Sequence, residues 1–114
     1  MTLAITPTSA TNKLKIDVVG YWSSSAADKM GVALFQDSTA NALAAIHSQL
    51  ETTTAYGNPI SFTHYMTSGT TSATTFKVRA GNSAAATATF NGNGGGRKLG
   101  GVMASSITIT EIKV

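Results

Sequence analysis

Four segments of this chain alternate apolar and polar residues with a period of two, which constrains the fold more than any other feature. Ile107 and Ile109 alternate with Thr108 and Thr110 near the C-terminal end. Leu14, Ile16 and Val18 alternate with Lys15 and Asp17, and Phe76 and Val78 with Lys77 and Arg79. Ile60, Phe62, His64 and Met66 alternate with Ser61, Thr63 and Tyr65. Only an extended strand puts every second side chain on one face. The expectation is an all-β domain, with Ile107 and Ile109 as core residues of a last strand whose pairing ties down the C-terminal end.

Further strands are expected at Leu3 to Thr6, closed by Pro7, at Met30 to Phe35, and at Ala86 to Phe90. Lys13 to Val19 is expected to stop at Gly20 and the Ser23 to Ser25 run, and Thr74 to Arg79 at a Gly81-Asn82 turn. Ala40 to Glu51 is open between helix and strand. Leu43, Ile46, His47 and Leu50 sit at helical spacing, and Asp37, Ser38 or Thr39 could cap a helix, whereas the β context favours a strand. The total is about eight short strands, a spacing typical of sandwiches and jelly rolls.

With 114 residues and no divided composition, residues 1–114 are read as one domain. There is no cysteine, so disulfides and thiolate metal sites are excluded. No apolar run reaches the roughly 18 residues of a membrane helix, and no basic-then-apolar leader opens the chain. Membrane insertion is therefore not expected, and a secreted lectin is disfavoured. Charged residues are 11% of the chain against about 25% in an average domain. Ser and Thr, roughly a quarter of the residues, must supply the polar surface. A neutral β surface has few charges to oppose edge-to-edge association, so a defined oligomer is expected. The formal charge of +3 is too small and too scattered to suggest nucleic acid.

The two histidines, His47 and His64, have no neighbouring carboxylate in sequence, and His64 shares a strand face with Ile60 and Phe62. A packed or axial role is expected for His64, and no metal or cofactor is implied. Five carboxylates, Asp17, Asp28, Asp37, Glu51 and Glu111, are spread over separate segments. Glycoside hydrolysis needs two carboxyls facing each other across a sugar. Nothing in the spacing forces such a pair, and no catalytic residue is assigned. Asp28 or Asp37 with Glu51 is the one pairing that contact between subunits could create. Gly92 to Lys98 lacks the Ser or Thr and the following helix of a phosphate-cradling loop, and reads as a glycine-rich hairpin. Its functional reading is an exposed tip on which Asn93, Arg97 and Lys98 contact a glycan or a neighbouring protein. Tyr21 and Trp22, at the expected end of a strand, form either a sugar-stacking platform or a plug for the end of the fold.

The opening ITPTSATNKLKI, the central FKVRAGNS, the loop TFNGNGGGRKLGG and the terminal ASSITITEI resemble a module found at the C-termini of phage tail fibres and tailspikes. The resemblance covers nearly the whole chain. Its most specific part is Val78-Arg79-Ala80-Gly81, followed by Asn91-Gly92 and the Gly101 to Ile112 tail. Leu99 stands where an aromatic often precedes the Gly-Gly step, and the Ala84 to Ala88 run is plainer than usual. The module is similar to trimeric jelly rolls of the C1q and tumour-necrosis-factor type. The resemblance thus implies a jelly-roll homotrimer in a virion assembled in the host cytoplasm. It would be a non-catalytic fibre or tailspike tip that meets other virion proteins and host-surface glycans, either excised from a longer chain or free-standing. A capsid decoration protein is the alternative within the virion, and a polysaccharide depolymerase fragment is the alternative from another class.

Overall fold

The computed structural model describes residues 1–26, 28–50 and 57–114. Among them the chain forms ten strands: β1 Thr2–Ile5, β2 Lys13–Ser24, β3 Asp28–Gln36, β4 Ala44–Leu50, β5 Gly57–Thr67, β6 Thr74–Asn82, β7 Ala88–Phe90, β8 Gly92–Asn93, β9 Gly96–Arg97 and β10 Ser106–Ile112. They make a first sheet in the order β1-β6-β3-β4, a second sheet in the order β10-β2-β5, and a two-stranded ribbon of β8 and β9. The short strand β7 joins the second sheet beside the far end of β2, pairing Trp22 with Phe90. All pairings are antiparallel among the described residues. No helix among them is long and apolar enough to cross a membrane.

The two sheets share one core. Leu14, Ile16, Val18 and Trp22 of β2 and Ile60 of β5 supply one side; Met30, Val32 and Leu34 of β3 and Phe76 and Val78 of β6 supply the other. These are the inward positions that the alternation assigns in β2 and β6. The result is a sandwich-like all-β domain in which each sheet keeps a second, outward face.

Two strands run past their expected ends, and one open segment is decided. The strand β2 runs through Gly20 to Ser24 instead of ending at Gly20. A Cβ at Gly20 would collide with the Trp22 indole, so this glycine makes room for a ring inside a continuing strand. Likewise β6 continues through Gly81-Asn82, which pair with Gly31 and Met30 of β3. The open segment is a strand from Ala44, paired residue for residue with β3, so a tertiary partner overrides its helical composition. Glu51 lies outside the described residues, as does the side chain of Asp28.

The last strand lies at the edge of its sheet, with β2 as its only neighbour there among the described residues. Ile107 and Ile109 pack against the core, on the face expected, and are half-buried. At the same end of the molecule Glu111 gathers the loop before β2. One carboxylate oxygen, Oε1, accepts from Thr8 N at 2.8 Å, Thr8 Oγ1 at 2.9 Å and Asn12 Nδ2 at 2.7 Å. The Asn12 hydrogen bond is the main cause holding this carboxyl below the usual glutamate range, with Thr8 adding to it.

Candidate functional site

The residues singled out from the sequence gather at one end of the second sheet, but in different states. Trp22 is 1% exposed, with Phe90 edge-on at 5.1 Å between ring centroids. It offers no open face for a sugar to stack on. Of the two readings of this residue, the plug that closes the end of the core matches its position. Tyr21 points to the opposite face and is half-buried; its ring lies where a Cβ at Gly57 would be, and its carbonyl accepts from Asn91 N at 2.9 Å.

The glycine-rich stretch forms the expected hairpin. Gly92 and Asn93 of β8 pair with Arg97 and Gly96 of β9 around Gly94-Gly95, whose φ values of +60° and +82° are those of a type I′ turn. Beyond it, Arg97 is not a free contact residue. Its guanidinium donates to the carbonyls of Gly101 at 2.9 Å and Met103 at 2.8 Å, clasping the turn Leu99–Gly101 from outside. Leu99 is held at φ +53°, and the turn presents Leu99 and Val102 at 72% and 80% exposure. Lys98 is exposed beside them. The loop is thus a braced tip with two apolar side chains and one ammonium, and Asn93 lies in the ribbon at its base.

The described carboxylates are committed to local bonds. Asp17 takes Thr63 Oγ1 at 2.6 Å and Lys15 Nζ at 3.0 Å, and the Thr63 hydrogen bond is the main cause of its lowered pKa. Asp37, at φ +50°, accepts from Thr75 N and Thr74 Oγ1, both at 2.8 Å, and the Thr75 amide is the main cause lowering its pKa. Both carboxylates and Glu111 therefore fasten loops or cross-strand pairs. Among the described residues no three His, Asp or Glu side chains are grouped to hold a metal ion. His64 faces inward opposite Ile16, as its strand face requires, and is half-buried.

A concave feature lies elsewhere, on the outward face of the first sheet. The register there places Phe35 beside Lys77, Ala33 between Ala45 and Arg79, and Gly31 between His47 and Gly81. This grid floors an open depression of about 540 Å³. A second, more polar hollow of about 270 Å³ adjoins it through Phe35 and Arg79 and is rimmed by Ser38, Thr39 and Lys77. The sequence assigned Lys77 and Arg79 outward but did not single them out as a site. The signal was present in Met30 to Phe35, whose outward positions, Gly31 and Ala33, are too small to cover a strand; recognising it required knowing that β4 and β6 flank β3.

No family model matches the chain, and no curated protein matches it at a significant level.

Proposed function

We propose that this chain is a non-catalytic phage virion module, the trimeric jelly-roll tip of a tail fibre or tailspike. It holds three chains in register and contacts the host surface. The observation that carries this reading is the sequence resemblance, which covers nearly the whole of a chain that folds as an all-β domain. The segments resembling the fibre module fall, in order, on β6, on β8, and on the loop and edge strand that end at Ile112 of an all-β two-sheet domain. The committed carboxylates support binding over hydrolysis, because each described acid already satisfies neighbouring donors instead of facing another acid across a cleft. Low charge supports assembly, since large obligate interfaces are apolar and neutral edges associate readily. Light scattering at micromolar concentration tests the trimer. The expected mass is three times the 11.7 kDa of one chain, and a monomeric mass removes the trimeric-tip reading.

A further inference from the structure

The outward face of the first sheet joins a shallow apolar hollow to a smaller polar one. Gly31, Ala33, Ala45 and Gly81, four small residues, are among those lining the apolar hollow. A Cβ at Gly31 or Gly81 would meet nothing within 4 Å, so neither glycine is required by a close neighbour. Their smallness leaves the hollow open. Its volume of about 540 Å³ falls within the roughly 300–1,000 Å³ of ligand-binding clefts.

Two cations and one carboxylate meet at the polar hollow. Arg79 stands over Ala33 at the junction of the two hollows, and it has no salt bridge or hydrogen bond among the described residues. Lys77, two residues earlier on the same face, uses one proton to bond the Asp37 carbonyl at 2.6 Å and has two left. His47 closes the opposite side. The one described carboxylate on the rim, Asp37, is turned to Thr74 and Thr75. A guanidinium with no carboxylate partner among the described residues, an ammonium two residues away, and the hydroxyls of Ser38 and Thr39 match a carboxylate with neighbouring hydroxyl groups. Half-buried Phe35, next to that cation pair, supplies an aromatic surface of the kind that receives the C–H face of a sugar ring.

We infer that this face binds an acidic polysaccharide chain, with a uronate carboxylate on Arg79 and Lys77 and the adjoining ring laid over the Gly31–Ala33–Gly81 floor. The inference rests on the reading of the chain as a surface-contacting module and names the ligand class of that contact.

Titration calorimetry of the intact protein with tetragalacturonate, and with maltotetraose as the neutral partner, tests it. Tetragalacturonate is expected to bind more tightly than maltotetraose and to weaken as salt is raised. Arg79→Gln is expected to weaken binding about tenfold or more, the loss of a charge-assisted hydrogen-bond pair. Gly81→Leu fills the floor and is expected to abolish binding with the circular dichroism spectrum unchanged. Lys15→Ala, a cation removed from the opposite face, should leave binding intact. Absence of tetragalacturonate binding, equal binding of the neutral sugar, or full binding by Arg79→Gln overturns the inference. Conversion of an oligomer to monomer by Arg79→Gln or Gly81→Leu also overturns it, by making the face a contact between copies. A trimer that fails to bind tetragalacturonate leaves the virion-module reading standing, whereas a monomer that binds it removes the trimeric tip alone.

Discussion

The outward faces of the two sheets are made from the same Ser-, Thr- and Ala-rich chain, yet they are finished differently. On the second sheet Lys15 and Asp17 pair at 3.0 Å, Thr63 donates to Asp17, and Lys13 Nζ donates to Thr67 Oγ1 at 2.6 Å. The two lysines and the aspartate there each have a neighbour from their own face. On the first sheet the middle of the face is glycine and alanine, and the central guanidinium has no partner among the described residues. A surface that satisfies itself needs only solvent. One that leaves an arginine without a partner among the described residues, above a floor of small side chains, has room for a ligand.

Substituting glycines breaks or sharpens this contrast most strongly. Gly20→Ala puts a methyl group into the Trp22 indole and should destabilise the protein by about 1–3 kcal/mol, as overpacking does. Gly31→Ala, on the open face, should cost far less in the same urea titration, because the added carbon touches nothing. Equal losses would mean that the open face is packed after all. The edge strand gives the next effect. Ile109→Ala should cost about 1–2 kcal/mol, below the usual 2–5 for a fully enclosed isoleucine because Ile109 is half-buried. Thr110→Ser, on the solvated side, should fall within about 0.5 kcal/mol. A comparable loss at both positions would show that the second sheet's outward face is covered in the native assembly.

A smaller effect is set by pH. The carboxyl of Glu111 titrates below its ordinary range in the folded state, so its stabilisation is fully present above the unfolded value of about 4.3. That stabilisation is lost as pH falls through the lowered folded value. Glu111→Gln should lower the melting temperature at pH 7 and flatten its dependence on acid; an unchanged acid dependence would assign the transition to Asp17 or Asp37. The smallest effect concerns the braced tip. Arg97→Ala should barely move the melting temperature yet speed amide exchange of Gly101 and Val102, because the guanidinium holds only that turn. No change in exchange would mean that the turn is held by its own backbone bonds.

Much of this organisation was legible in the sequence, for a local reason. From Leu14 to Val18 in β2, Phe76 to Arg79 in β6 and Ile107 to Thr110 in β10 the two faces differ in polarity at every step, so period and face are written together. Where the cause is non-local, the reading failed. Gly20 looked like the end of a strand because its reason for being glycine is an indole two residues on. Gly81-Asn82 looked like a turn because small polar residues mark turns as readily as they mark an outward strand face. Ala44 to Leu50 carried no decisive local preference, and β3 decided it. Arg97 read as a contact residue because the carbonyls it clasps come together only through the positive φ values of Leu99, Gly100 and Gly101. The open face went unassigned because it exists only when β4, β3 and β6 lie side by side.

The glycines and alanines of that face carry a consequence for the history of such a protein. Side chains can be added at Gly31 or Gly81 without touching the core, so mutation can sample new surface chemistries there at little cost to folding. The inward face of the same strands is filled by Val32, Leu34, Phe76 and Val78 and has no such freedom. Lineages descended from this chain should therefore diverge fastest on one side of β3 and β6 and stay nearly fixed on the other, changing what they adhere to while inheriting the same scaffold.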